Sequence, residues 1–259
     1  MSPLSSDTLF HFTDRVEHLI DILTNEFRPH FSLEDLTLIT NQALDSEEAN
    51  RAFPLVSFCD IPLSQTTAHT ATYGSYAIGL TKKWGMRNGI APVLYCYQNC
   101  PAHVAIAGLF HMPVGTAKAD APNSLEEQLI ANIAYLSCFL KPYEGQFYRR
   151  GKLMPKTRFY DEREWRYVPD LRKRDVEGMS REEYLDPEKL RLANDRARSH
   201  LQPIRFEPSD IRYLIVKTES EILHMIKDIE RIKSPKYTTD DIKLLTTRII
   251  SAEHIRSDF

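Results

Sequence analysis

An α+β fold is what this sequence predicts, on two observations. Short strand-like runs and helical stretches succeed one another irregularly, without the regular alternation that builds a parallel sheet. Neither G-x-G-x-x-G nor G-x-x-x-x-G-K-S/T occurs, so no glycine-rich turn opens a doubly wound nucleotide fold. Hydrophobic residues make up 42% of 259, enough for one buried core, and residues 1–259 read as a single domain.

Each element follows from local pattern. Leu9–Thr13 reads as a strand, and Asp14 caps a helix with Val16, Leu19, Ile20 and Leu23 at helical spacing. Phe27 to Ser32 leaves that helix through Pro29, and the polar residues 34–53 read as a helix or a mobile surface segment. Leu55–Cys59 is a buried strand ended by Asp60-Ile-Pro62; Ser64 to Thr72 is a short helix or loop; Tyr76–Leu80 is the next strand. Thr81 caps one turn that stops at Gly85, Asn88-Gly89 is a turn, and Pro92 to Tyr97 is extended. Ser124-Leu-Glu-Glu127 is a capping box for a helix whose Leu129, Ile130, Ile133, Leu136, Phe139 and Leu140 share a face, ended by Pro142. Residues 141–158 read as a loop and Phe159–Val168 as a strand. The charged stretch at about 170–200 reads as a helical insertion, followed by strands at 204–206 and 211–216, a helix at 219–232 and a mixed tail.

A net charge of −3 excludes a uniformly basic nucleic-acid binder. No apolar run reaches the roughly 20 residues that cross a bilayer, so no membrane partner is expected. The N-terminus lacks a signal-peptide succession, and Cys59, Cys96, Cys100 and Cys138 form no regular framework. Free thiols in a reducing cytoplasm are the expectation. Cys96, Cys100 and His103 lack the second ligand pair of a zinc site, so no metal is expected.

Four segments carry candidate chemistry. His11 and Thr13 share one face of the first strand. Tyr73 and Tyr76, with Gly74 and Gly79 beside them, offer flat rings and close backbone approach. In an extended 160–168, Tyr160, Glu162, Glu164 and Arg166 share a face, with Glu164 a cleft carboxylate whose charge Arg163 or Arg166 holds. A carboxylate beside a sugar C1 can stabilise an oxocarbenium-like state. Arg149, Arg150, Lys152, Lys156 and Arg158 form a run of positive charge that reads as a solvated loop or as a phosphate or nucleic-acid track. These readings suggest one cleft for a nicotinamide dinucleotide, held without a Rossmann loop.

Several of these strings resemble the AbiGi-type abortive-infection proteins. They are His11-Phe-Thr-Asp14 with Phe27-Arg-Pro29, Val56-Ser-Phe-Cys-Asp-Ile-Pro-Leu-Ser64, Tyr73-Gly-Ser-Tyr-Ala-Ile-Gly-Leu80 with Trp84-Gly85, and Glu162-Arg-Glu-Trp-Arg-Tyr-Val-Pro169. The resemblance implies an anti-phage or toxin–antitoxin context. A more distant likeness is to ADP-ribosyltransferases of the DarT and PARP type, which implies a split β-sheet core with peripheral helices and NAD as substrate. It implies catalytic roles for His11, Tyr73 and Glu164, and cofactor contacts from His11, Phe12, Thr13, Tyr73, Tyr76, Arg163 and Arg166. The expected acceptor is a macromolecule, with RNA or DNA favoured by the basic run. The alternative expectation is a non-catalytic antitoxin or interaction component of an abortive-infection system, and a cognate antitoxin or chaperone protein is an expected partner.

Overall fold

A computed structural model describes residues 5–40, 49–110, 125–149, 152–171 and 176–258. Its strands are β1 (Thr8–Thr13), β2 (His30–Asp35), β3 (Asn50–Cys59), β4 (Tyr76–Thr81), β5 (Ala91–Pro92), β6 (Leu94–Cys96), β7 (Leu140–Pro142), β8 (Gly145–Arg149), β9 (Lys152–Thr157), β10 (Glu164–Tyr167), β11 (Met179–Ser180), β12 (Ile211–Val216) and β13 (Ile249–Ser251). The helices are α1 (Val16–Asn25), α2 (Thr37–Thr40), α3 (Thr66–Tyr73), α4 (Lys82–Arg87), α5 (Pro101–Phe110), α6 (Leu125–Ser137), α7 (Arg181–Leu185), α8 (Pro187–His200), α9 (Ile222–Lys233), α10 (Thr239–Thr246) and α11 (Ala252–Asp258). The architecture is α+β, as the irregular succession predicts.

Among the described residues nine strands form one sheet in the order β13-β12-β4-β1-β3-β10-β5, with β2 and β11 also paired to β3. Its pairings are antiparallel except β12 with β13. β1 pairs with β4 along its whole length, but meets β3 only where Phe10 faces Cys59. Further along β3 its partner is β2, from Leu55 opposite His30 to Asn50 opposite Asp35. The sheet therefore divides where β1 parts from β3, and the division lies beside His11, Phe12 and Thr13.

Period-two alternation explains how the sheet is covered. Leu9, Phe58, Ile78, Leu80, Leu214 and Val216 point to one face, where Leu19 and Leu23 of α1 and Met225 and Ile229 of α9 pack. Phe10, Ala77 and Ile215 point to the other, against Ala252 and Ile255 of α11. Each such side chain taken out of water contributes about 1.5–3 kcal/mol when fully buried. Trp84 is fully buried, and its indole N–H finds the Arg205 carbonyl at 2.8 Å. The Lys233 ammonium donates to the Leu23 carbonyl at 2.6 Å, placing a cation at the C-terminal end of α1.

Two smaller sheets lie outside the main one: parallel β6–β7 and antiparallel β8–β9. Within the charged stretch the described residues hold strand β11 followed by α7 and α8. Ser180 and Glu183 form a capping box on α7, and Asp186 caps α8 ahead of Pro187. Ala197 and Leu201 pack on Phe31 of β2, and Asn194 Oδ1 accepts the Phe31 N–H at 2.9 Å.

Local pattern misplaces some elements. Phe159–Glu162 is a 3₁₀ turn, not strand, because Arg163 adopts φ 45° and closes it; extended chain begins at Glu164. Residues 34–53 contribute strand at both ends rather than one long helix. Ile204 makes only an isolated bridge to Phe27. Pro142 lies in β7, since α6 already ends at Ser137, and Ser124 of the expected capping box lies outside the described residues. On α6 Ile133 is buried, while Leu129, Ile130 and Leu136 are exposed.

Tyr73 ends α3, and Gly74 after it has φ 118°, a left-handed value that strains any side chain. A Cβ there would sit 2.1 Å from the Thr13 carbonyl oxygen. Gly74→Ala is expected to cost roughly 2–4 kcal/mol, read as a lower urea midpoint with an unchanged slope.

Candidate functional site

Two adjoining cavities open at the division of the sheet. The first, about 280 Å³, is lined by Phe10, His11, Phe12, Ser57, Tyr73, Lys141, Phe159, Glu162, Glu164 and the β2 residues Ser32 to Asp35, among others. The second, about 470 Å³, runs past Thr13, Asp14 and His18 to Arg28, His30, Asn194 and Arg198. His11, Phe12 and Tyr73 line both.

His11 bridges the gap left by the missing β1–β3 ladder. Its Nδ1 lies 2.8 Å from the Ser57 carbonyl oxygen. A carbonyl only accepts, so Nδ1 carries the proton and Nε2 is the acceptor. Burial holds this imidazole down to about 4, outweighing the Ser57 bond that favours its charged form. The ring is wedged against Phe27 and Phe58 at centroid distances of 5.3 and 5.8 Å.

Glu164 and Arg166 project to the same side of β10, the period-two face that the sequence predicts. Ser57 Oγ donates to Glu164 Oε1 at 2.6 Å, and Arg166 Nε reaches the same oxygen at 2.6 Å. Lys141 Nζ lies 2.6 Å from Glu164 Oε2 and 2.6 Å from Glu162 Oε2. Arg166 also donates to Glu34 and, at 2.8 Å, to the Cys138 carbonyl. Tyr73 donates to Glu162, and the Tyr95 hydroxyl accepts the Glu164 N–H at 2.8 Å. Burial disfavours the Glu164 carboxylate, yet the Arg166 and Lys141 charges hold its carboxyl well below the usual range. Burial likewise opposes the Lys141 charge, and Glu164 and Glu162 overcome it, keeping the ammonium protonated. Burial, then the Glu162 charge, raises the Tyr73 phenol above its ordinary range.

The chain has recognisable relatives. A family model described as "Putative abortive phage resistance protein AbiGi, antitoxin" matches residues 25–217. The chain belongs to the AbiGi family. "Abortive phage resistance protein AbiGi" of Lactococcus lactis subsp. cremoris is 26% identical over 260 residues, spanning 90% of this chain and 99% of that relative. No solved structure matches.

In this AbiGi-family chain His11, Phe12, Tyr73 and Glu164, distant in sequence, line the first cavity. Thr13 lines the second, with its hydroxyl turned to the Arg15 carbonyl at 2.8 Å. Arg166 stands behind Glu164, fully buried. Two expected contacts are corrected. Tyr76 enters the core on the α1 and α9 side, its hydroxyl on Glu221 at 2.9 Å, because it starts β4 on the face shared with Ile78 and Leu80, whereas Tyr73 ends α3. Arg163 closes the 3₁₀ turn and lines neither cavity. The basic run is largely a β-hairpin rather than a loop: Arg149 ends β8 and Lys152 begins β9. Lys156 pairs with Glu144 at 2.5 Å, Arg158 lies 3.8 Å from Asp161, and Arg150 falls outside the described residues.

Ser57, Lys141 and Glu34 belong to the site and escaped the sequence reading. The one available signal was a serine inside the apolar run Leu55–Cys59. Cys96 and Cys100 are buried in a small apolar cluster, with Cys100 Sγ accepting the His103 N–H at 3.4 Å. Among the described residues no group of three His, Cys, Asp or Glu could hold a metal ion, and no helix is long and apolar enough to cross a membrane.

Replacing Arg166 by Met leaves Glu164 and Glu34 without their shared guanidinium. A loss of about 3–5 kcal/mol is expected in urea unfolding, and Arg166→Lys is expected to recover only part, because one ammonium cannot reach all three acceptors. For His11 the folded value near 4 lies below the ordinary 6.5. Between these pH values the unfolded chain binds more protons, so stability falls as pH drops from 6.5 towards 4. His11→Gln is expected to flatten that slope without abolishing it, since the burial-lowered His30 and His69 contribute with the same sign.

Proposed function

We propose that this protein serves abortive phage resistance as the antitoxin component, acting by binding rather than by turnover. The observation that carries this reading is the state of Glu164. Both of its oxygens are taken, by Ser57, Arg166 and Lys141, and it is buried. A carboxylate committed to that many partners is poorly placed to grip a ribose hydroxyl or respond to charge developing at C1. The family description, which includes the word antitoxin, points the same way.

Cavity charge adds support. The second cavity sets Asp14, Asp21, Glu26 and Asp195 against Arg28 and Arg198. Asp14 lines it beside the start of α1, which also carries Glu17 in its first turn. A pyrophosphate is drawn to net positive charge, and here four carboxylates outnumber two guanidiniums, so the charge of the cavity disfavours this part of a dinucleotide.

The second reading, an NAD-dependent ADP-ribosyltransferase on a split sheet, is favoured by one arrangement. His11, Tyr73 and Glu164 line a single cavity where β1 parts from β3. In that reading neutral His11 would accept from a ribose hydroxyl and Tyr73 would supply a flat wall, with RNA or DNA as acceptor.

Purified protein incubated with labelled NAD and total bacterial RNA, DNA or protein separates the two. The antitoxin reading expects neither label transfer nor nicotinamide release. Release that falls at least about 100-fold in Tyr73→Ala and His11→Gln, through lost orientation of the substrate, would replace it with the enzyme.

A further inference from the structure

We propose that the first cavity is a receptor for a planar organic cation, a guanidinium or amidinium group, and that Lys141 is its resident cation. The Lys141 ammonium is already held there as such a ligand would be: 2.6 Å from Glu162, 2.6 Å from Glu164, and 5.0 Å above the Phe159 ring. Aromatic faces and forked carboxylates together are what a flat cation binds best.

Charge remains unbalanced after Lys141 is counted. Glu34, Asp35, Glu162 and Glu164 line the cavity, against Lys141 within it and Arg166 behind, which leaves an excess of two carboxylates beside about 280 Å³ of open space. Among the described residues Asp35 forms no ion pair; its Oδ1 accepts the Thr37 N–H at 2.8 Å, and burial pushes its carboxyl up. Phe10 and Phe12 complete an apolar wall that disfavours a hydrated ion and accepts a flat one.

Lys141 comes from β7, a strand of the separate β6–β7 pair and not of the main sheet. The proposal stands apart from both functional readings, because an arginine of a protein partner and a free small amidine present the same group.

The test is calorimetric titration with benzamidine, its neutral isostere benzamide and its anionic counterpart benzoate, on wild type, Asp35→Asn, Lys141→Met and the exposed control Asp240→Asn. Benzamidine alone is expected to bind. Asp35→Asn should weaken it about tenfold and Lys141→Met should tighten it about tenfold, with Asp240→Asn unchanged. Equal binding of benzamide, preference for benzoate, no binding of any of the three, or equal weakening by Asp240→Asn overturns the proposal. A folded Lys141→Met that binds no tighter removes Lys141 as the resident occupant. If that variant does not fold, the wild-type series with Asp35→Asn decides. A Gly-Arg-Gly amide arm separates the sources: tighter binding than benzamidine assigns the site to an arginine in a polypeptide, and weaker binding assigns it to a free small molecule.

Discussion

The fold around the cleft depends on one buried guanidinium. Arg166 has no solvent exposure and touches Glu164 on its own strand, Glu34 on β2 and the Cys138 carbonyl beyond α6. Dehydrating such ions costs on the order of several kcal/mol each, which close and complete pairing must offset. The arrangement is therefore better understood as a device for specificity than for net stability. Three chain segments that local pattern leaves independent are tied to one point, and that point fixes where Glu164 sits.

The division of the sheet is the second constraint. Where β1 leaves β3, backbone groups lose their ladder partners, and a buried orphan carbonyl is costly. His11 answers for the Ser57 carbonyl through Nδ1. The same imidazole is thus structural on one edge and presents an acceptor on the other. Burial that keeps it neutral serves both roles, since a charged ring here would face Phe27 and Phe58.

Much of this was legible in the sequence because it rests on periodicity. Alternation in Leu9–Thr13, Tyr76–Leu80 and Ile211–Val216 places the central strands, and the period-two face of 164–166 puts Glu164 beside Arg166. What stayed hidden depends on pairing across long separations. Nothing local to Lys141 announces that it will lie between two glutamates some 20 residues on, 21 and 23 positions away. Glu34 sits 132 positions from its guanidinium. Arg163 illustrates the other kind of miss. A single left-handed residue turns the apparent strand Phe159–Val168 into a turn and a short strand, and carries Glu162 into the cavity by a route that alternation does not describe. Tyr73 and Tyr76 look equivalent on paper, yet Gly74 separates a helix end from a strand start and sends their rings to different parts of the molecule.

The Asn194 contact has a consequence for how the molecule behaves in a crowd. Among the described residues β2 pairs only with β3, so its outer rim is a template on which a foreign strand could add. Asn194 occupies the Phe31 amide on that rim, and Ala197 and Leu201 cover the side chain beside it. The helical insertion therefore closes this rim to an added strand at Phe31, the one amide there that it occupies.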